Sequence, residues 1–173
     1  MRFALCEWKE DFAPSLAQSA NDARVGRFLR DGFPYPYTEQ DARRYIEAAL
    51  RDGASLSRAI VVDGRAVGAV SLTKMSNVYE KNAELGYWLS PDYWGRGIMT
   101  EAVRAICREG FDACGVERIY AEPFADNAAS RRVLEKCGFA LEGVLRKSIY
   151  KGGMYHDSCI YARLRTADNG AIQ

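Results

Sequence analysis

The residues best suited to chemistry are Gly95, Arg96 and Gly97, which lie where an extended segment passes into a helix. The first backbone N–H groups of a helix have no intrahelical partner, so such a turn binds anions readily. Glycines let the backbone approach a ligand at positive φ, and an arginine adds charge-assisted hydrogen bonds to phosphate oxygens. The pattern fits a pyrophosphate site, and an ordinary strand-to-helix turn with a surface arginine fits these three residues equally well.

A second polar group, Asn127 and Ser130, opens a short helix that Gly138 closes. The asparagine suits a helix N-cap and equally suits a hydrogen bond to a ligand. The serine hydroxyl is able to donate to a leaving group or to help cap the helix. These two residues therefore carry a binding hypothesis and a structural one side by side.

Residues 93–102, Tyr-Trp-Gly-Arg-Gly-Ile-Met-Thr-Glu-Ala, and residues 127–139 together resemble the GNAT superfamily of N-acetyltransferases. The family's pyrophosphate loop reads Gln/Arg-x-x-Gly-x-Gly/Ala. Gly97 matches its central glycine, whereas Trp94 and Met99 depart from its two ends. The variant found here is similar to that of the Rim-type ribosomal-protein N-acetyltransferases and their small-molecule relatives.

Residues 33–42 and 154–161 extend the resemblance over nearly the whole chain, from about residue 3 to residue 164. It implies a GNAT fold, which is a mixed, mostly antiparallel seven-stranded sheet flanked by helices, with two central parallel strands that splay apart. It also implies acetyl-CoA as cosubstrate, with the pantetheine arm lying in the splay like an extra strand.

The implied cofactor contacts come mainly from the main chain. In the family, the strand before the turn holds the pantetheine and the acetyl carbonyl, and the N–H groups of the turn hold the pyrophosphate. A main-chain donor survives side-chain replacement, so the departures at the two ends of the loop are tolerable. The residues that the resemblance assigns to the cofactor are Tyr87, Trp88, Leu89, Trp94, Gly95, Arg96, Gly97, Ile98, Met99, Thr100, Asn127 and Ser130.

Acetyl transfer to an amine also needs a proton acceptor and a group that stabilises the departing thiolate. Many family members place a tyrosine in the second helix, but Leu134 stands at that position, so Ser130 is the candidate for the thiolate. Glu84, on the face of its strand shared with residues 86 and 88, and Asp157 are the candidate bases. Glu84 equally suits a cross-strand ion pair, and the lone His156 is more typical of a packing or surface residue.

Composition excludes several other classes of function. Lys plus Arg number 24 against 23 for Asp plus Glu, which gives no basic excess for nucleic acid or a membrane surface. No apolar run reaches the length of a membrane span, and the first ten residues do not form a signal peptide. Five cysteines without a C-x-x-C pair and a single histidine predict neither a metal site nor a disulfide framework, which favours the cytoplasm.

Periodicity and turn chemistry predict the remaining elements. Thr38 and Asp41 form a capping-box pattern at a helix start, and Asp63-Gly64 predicts a hairpin turn. The helix after residue 97 carries apolar residues at the spacing of a buried stripe, namely Ile98, Ala102, Ala105 and Ile106. The order strand, helices, three strands, helix, strand, helix, two strands predicts an α+β fold with one parallel pair. The 173 residues suit a single acetyltransferase domain over residues 1–165, with a frayed tail over 166–173.

Three functions are compatible with these residues. The first is an acetyl-CoA-dependent N-acetyltransferase whose acceptor, the primary amine of a protein N-terminus or of a small molecule, attacks directly in a ternary complex. The second is a catalytically silent CoA-binding module, which Leu134 keeps open. The third is a dinucleotide-binding oxidoreductase, although Thr100 stands where its fingerprint requires glycine. A monomer and a homodimer are equally compatible with the sequence.

Overall fold

Seven strands form one mixed sheet with helices on both of its faces, which confirms the predicted α+β GNAT architecture. The computed structural model describes residues 2–53 and 55–166. The strands are β1 Ala4–Cys6, β2 Ser55–Val62, β3 Arg65–Lys74, β4 Asn82–Leu89, β5 Arg118–Ala121, β6 Ala140–Lys151 and β7 Met154–Leu164. The helices are α1 Ala13–Ala20, α2 Ala23–Gly26, α3 Glu39–Arg51, α4 Ile98–Ala113 and α5 Ala128–Lys136.

The strand order is β1-β2-β3-β4-β5-β7-β6, and β4–β5 is the parallel pair among the described strands. The reason is α4, which connects β4 to β5 and returns the chain to the end of the sheet at which β4 begins. All other neighbours pair antiparallel.

Local signals in the sequence locate the helix starts and turns correctly. Thr38 and Asp41 form a complete capping box, in which each side chain accepts the other's backbone N–H. Asp63 and Gly64 both have positive φ, at 47° and 76°, as a two-residue hairpin turn between twisted strands requires. Such features depend only on neighbouring residues, so a sequence reveals them.

Two apolar cores lie on opposite faces of the sheet, one beneath α4 and α5 and the other beneath α1 and α3. The predicted stripe of α4 is correct at Ile98, Ala102 and Ile106 but wrong at Ala105, which is exposed. The buried side of the helix instead passes through Val103 and Cys107. The buried residues recur with the 3.6-residue period of an α-helix, and residue 105 lies outside the face that they form.

An opening divides the middle of the sheet. The parallel ladder holds three pairs, Asn82 with Arg118, Ala83 with Ile119 and Glu84 with Tyr120. Beyond these, β4 continues to Leu89 against β3 alone. The far half of β4 therefore presents an unpaired main-chain edge, which confirms the predicted splay.

At the carboxyl end, Arg165 donates its backbone N–H to the carbonyl of Glu117, 2.9 Å away. Of the tail expected over residues 166–173, residues 167–173 lie outside the described part of the chain. The single-domain boundaries stay a prediction. Within residues 2–53 and 55–166, no helix combines the length and apolar character needed to cross a bilayer.

Candidate active site

The hydrogen bonds of β4 decide which main-chain groups face the opening. The N–H of Ser90 donates to Val67 and the N–H of Met75 donates to Asn82, at 2.8 and 2.9 Å, so both ends of the β3–β4 ladder have even-numbered β4 residues in the bonded pairs. Bonded and non-bonded pairs alternate in an antiparallel ladder. The odd-numbered residues of β4 therefore turn their N–H and C=O groups away from β3.

Tyr87 and Leu89 are thus the residues that direct main-chain groups into the opening. Trp88 lies in a bonded pair with Ala69, so its N–H and C=O belong to the sheet and do not face the opening as the resemblance implied. The Leu89 carbonyl already accepts a hydrogen bond from the Trp94 indole Nε1 at 2.7 Å. The N–H groups of Tyr87 and Leu89 and the carbonyl of Tyr87 remain for a ligand in the opening.

The glycine turn has the backbone that its sequence requires. Gly95 and Gly97 have φ of 73° and 79°, in the left-handed region that glycine adopts without strain. Gly97 is the N-cap residue of α4, so the N–H groups of the first turn, including those of Ile98 and Thr100, point outward without an intrahelical partner. These are the donors that an anion would meet.

A cavity of about 420 Å³ lies beside this turn. Its lining includes Gly97 and Thr100, the cations Arg96, Arg104 and Lys136, and the carboxylate of Glu101. Arg104 donates to Glu101 at 2.7 Å and to the carbonyl of Lys136 at 2.9 Å. With three cations against one carboxylate beside a helix N-terminus, the cavity suits an anionic group.

The two departures from the family loop have separate structural roles. Trp94 links the turn to β4 through its indole N–H, as described above. Met99 is buried in the core beneath α4. Neither side chain supplies or removes a main-chain donor of the turn, so a main-chain anion site is compatible with both departures.

The contacts at the start of α5 show which of Asn127 and Ser130 caps the helix. Asn127 is the N-cap, because its Oδ1 accepts the N–H of Ser130 at 3.1 Å. The Ser130 hydroxyl instead lies 2.7 Å from the hydroxyl of Tyr87. Leu134 is fully buried in the core and offers no polar group. Ser130 is therefore not needed as a cap, and its hydroxyl faces β4.

The Tyr87 side chain was not expected to take part. It projects from β4 toward α5, and burial raises the pKa of its phenol, an effect that the hydrogen bond with Ser130 partly opposes. The hydroxyl therefore stays protonated at neutral pH. Its contact with Ser130 joins residues 43 positions apart, so no local pattern in the sequence could reveal it.

Glu84 lies on the opposite face of β4, as predicted, together with Trp88, which packs against Phe33 at a ring distance of 5.6 Å. Its carboxylate forms an ion pair with Arg30 at 2.5 Å. The cationic partner thus follows α2 and is not a cross-strand neighbour. The arginine side chain is 82% exposed, so water screens this pair strongly.

Asp157 has a structural task. Its Oδ1 accepts the backbone N–H of Lys147 at 2.7 Å, where β6 bulges away from β7. His156, on the other face of β7, packs its ring against Phe124 and lies 3.8 Å from Asp126. The structure brings neither Asp157 nor His156 together with the groups of the turn.

Glu122 is the carboxylate that sequence reasoning missed. It is exposed just after β5, and its Oε1 accepts a 2.7 Å hydrogen bond from the fully buried hydroxyl of Ser158. Burial, and then the charges of Glu84 and Glu122, raise the pKa of Tyr120, the β5 residue in the last parallel pair. Glu84 pairs with Tyr120 in the parallel ladder and Glu122 follows Tyr120 by two positions, so the two glutamates lie near the base of the opening on one face. Its position at the carboxyl end of a parallel strand was the available signal.

Other reactive groups do not form a second centre. In the parts of the chain that the structure describes, no three His, Cys, Asp or Glu residues are grouped as metal ligands. All five cysteines are free, and burial raises the pKa of the Cys107 thiol to about 12, which makes it a poor nucleophile. The polar groups around the opening are therefore the candidate site.

Comparison with known proteins gives a consistent family. A model described as an acetyltransferase (GNAT) domain matches residues 2–140. YdaF of Bacillus subtilis, named provisionally as a ribosomal N-acetyltransferase, is 34% identical over 84% of this chain and 80% of its own length. With two other curated relatives the match is shorter, and the chain spans 54% and 59% of their lengths.

Solved structures agree with this result. The microcin C7 self-immunity acetyltransferase MccE, in complex with acetyl-CoA and AMP, superimposes with a TM-score of 0.83 at 26% identity, over 94% of this chain and 92% of its own. RimL, a ribosomal alpha-N-protein acetyltransferase in complex with coenzyme A, also gives 0.83, at 27% identity over 94% and 93%. All three named proteins are acetyltransferases, which gives the oxidoreductase hypothesis no support.

Proposed function

The chain belongs to the GNAT family of acetyl-CoA-dependent N-acetyltransferases, and from that premise we propose that it acetylates a cationic primary amine through the opening between β4 and β5. The observation that carries this proposal is the parallel ladder that stops after three pairs, which leaves the rest of β4 unpaired on that side before the chain reaches the glycine turn. A thioester arm can occupy the free edge of β4 while its pyrophosphate lies on the N-terminus of α4. An acceptor can then approach from the face that carries Glu84 and Glu122.

In this proposal the cofactor is held mostly by main chain. The N–H groups at the start of α4 and the charge of Arg96 bind the pyrophosphate, and the Nδ2 of Asn127 donates to the pantetheine. The N–H groups of Tyr87 and Leu89 donate to the pantetheine and to the acetyl carbonyl, whose oxygen becomes negative as the amine attacks. No side chain is asked to form a covalent intermediate.

The reaction is a direct displacement. The neutral amine nitrogen forms a bond to the thioester carbon, the carbon–sulfur bond breaks, and the amine proton goes to a base while coenzyme A leaves as thiolate. Ser130 donates a hydrogen bond to that sulfur, since its hydroxyl lies at the start of α5 beside β4.

Glu122 is the proposed base, directly or through one water. Its exposed carboxylate is held by Ser158, whereas Glu84 is paired with Arg30 and Asp157 with the bulge of β6. Glu84 contributes negative charge that attracts an ammonium before it loses its proton. A cytoplasmic location belongs to the same proposal, because the five thiols are unpaired.

The acceptor class follows from the relatives and from charge. One Escherichia coli relative is named ribosomal-protein-serine acetyltransferase and another spermidine N(1)-acetyltransferase, at 27% and 25% identity. Both names describe transfer to an amine. We therefore propose a protein N-terminus or a polyamine-like small molecule as the acceptor of this chain.

The test is release of free thiol from acetyl-CoA with a panel of N-terminal peptides, polyamines and aminoglycosides, against a control without acceptor. We expect acetyl-CoA to release thiol with one acceptor class. The mass of that acceptor should increase by about 42 Da, because an acetyl group replaces a proton. Silence across the panel, with acetyl-CoA binding shown by calorimetry, would favour the CoA-binding module instead.

A further inference from the structure

The hydroxyl of Tyr87 has no role in the function proposed above, where only its main chain serves. It lies 2.7 Å from the Ser130 Oγ and 3.3 Å from the Ser130 carbonyl oxygen. These contacts join β4 to the first turn of α5, which are the two elements on either side of the candidate thioester position. They form one partly buried hydrogen-bonded pair at that point.

The two contacts allow two arrangements of the hydroxyl protons. The single proton of the phenol goes either to Oγ at 2.7 Å or, with the serine hydroxyl as donor to the phenol, to the Ser130 carbonyl oxygen at 3.3 Å. With the Tyr87 proton donated to Oγ, the proton of Ser130 is free to point elsewhere. A hydroxyl that accepts one hydrogen bond becomes a stronger donor in the next.

The first turn of α5 does not need this pair for its own stability. Asn127 already caps the helix by accepting the N–H of Ser130. Position 134, where the resemblance expects a tyrosine, holds a core leucine. A phenol is thus present at the candidate site, but it comes from β4 and reaches the serine at the start of the helix.

We propose that Tyr87 is a positioning residue, which donates to the Ser130 hydroxyl and aims its proton at the leaving thiolate. The proposal rests on the transferase function and on the role of Ser130 given above. In this proposal Tyr87, on β4, stabilises the leaving group through Ser130. The raised pKa of the buried phenol agrees with this, because a donor must remain protonated.

The test is Tyr87→Phe, which removes one oxygen and leaves the main chain unchanged. The chain offers a matched control in Tyr45, a partly buried tyrosine of α3 whose hydroxyl also bonds a serine, Ser57, in the core on the other face of the sheet from α5. We expect Tyr87→Phe to lower kcat about tenfold, with KM for acetyl-CoA within about twofold of wild type, since one transition-state hydrogen bond is weakened. Tyr45→Phe should keep the wild-type kcat.

A double-mutant cycle with Ser130→Ala tests the route. If Tyr87 acts through Ser130, Tyr87→Phe has no further effect on kcat in the Ser130→Ala background. Equal kcat for Tyr87→Phe and Tyr45→Phe would overturn the proposal, as would a full tenfold loss that persists without the serine hydroxyl. Both outcomes require an active wild-type enzyme, so they differ from failure of the proposed function, in which no acceptor releases thiol.

Discussion

The indole Nε1 of Trp94 donates a 2.7 Å hydrogen bond to the carbonyl oxygen of Leu89. This bond joins the glycine turn to the last residue of β4, so the anion site and the strand edge are held in one arrangement. It also gives a function to Trp94, which is one of the two residues that depart from the family loop. The departure therefore strengthens the site.

The first prediction concerns this bond. Trp94→Phe keeps an aromatic ring but leaves the Leu89 carbonyl without its donor, so we expect the Kd for acetyl-CoA to rise about fivefold, equivalent to roughly 1 kcal/mol. Calorimetric titration measures it. Trp8→Phe is the control, because the Trp8 indole also donates one hydrogen bond, to the Ser57 hydroxyl at 2.8 Å, but outside the site. Equal Kd values for the two variants would contradict the role of Trp94.

The second prediction concerns the conformation of the turn. Gly97 has φ of 79°, a region that costs a β-branched residue roughly 1–2 kcal/mol or more. Gly97→Val should raise the Kd for acetyl-CoA by at least about tenfold, because relief of the strain rotates the N–H groups away from the pyrophosphate. Gly115, with φ of 63° after α4, gives a control with the same type of strain. Gly115→Val should lower the melting temperature but leave the Kd unchanged.

The third prediction separates the carboxylates. Glu122→Gln should lower kcat about 100-fold with little change in KM for acetyl-CoA, as expected when a general base is lost. Glu84→Gln should act mainly on KM for the amine, because it removes attractive charge. Glu117→Gln removes an exposed carboxylate paired with Arg165 and serves as the control. A larger loss of kcat in Glu84→Gln than in Glu122→Gln would reverse the assignment.

The fourth prediction concerns acid stability. Hydrogen bonds from the Thr38 hydroxyl and backbone, and then from Arg44, lower the pKa of Asp41 from 3.8 to about 2. A folded-state pKa below the unfolded value stabilises the fold fully above about pH 4, and this stabilisation disappears as the pH falls through about 2. The gap in urea midpoint between wild type and Asp41→Asn should therefore narrow from pH 6 to pH 2.5. A constant gap would mean that the carboxylate charge is not the cause.

The fifth prediction concerns the close approach of β3 and β4. A Cβ on Gly68 would lie 2.4 Å from the Trp88 carbonyl oxygen, a backbone atom that cannot move aside. At Gly110 the nearest atom, 2.3 Å away, is the Cδ1 of Leu72, which can rotate. Gly68→Ala should therefore cost about 3 kcal/mol of unfolding free energy and Gly110→Ala about 1 kcal/mol, by urea denaturation. Equal losses would contradict this distinction between backbone and side chain.

Sequence reasoning succeeded where the cause was local. The capping box at Thr38, the hairpin turn at Asp63-Gly64 and the left-handed turn at Gly97 all depend on residues within one turn of each other. The same applies to the α+β class, because a helix between two strands implies a parallel pair. The error at Ala105 came from extending the stripe of α4 one residue beyond its buried face.

The candidate site was only partly predictable. The glycine turn, Asn127 and Ser130 carried recognisable patterns, and the resemblance supplied a role for each. Asp157 was an accessible carboxylate in the sequence, but the bulge of β6 uses it. The resemblance assigned the main chain of Trp88 to the cofactor, whereas the ladder with β3 takes up that main chain.

By itself, the sequence determined the elements, their order and the glycine turn, because these follow from periodicity and from the conformational needs of single residues. Only the tertiary structure decided which side chains meet. The contacts of Glu84 with Arg30, Glu122 with Ser158 and Tyr87 with Ser130 join residues 54, 36 and 43 positions apart. Such contacts depend on where the sheet splays and how α2 and α5 pack against it, which is a property of the whole fold and of no single segment.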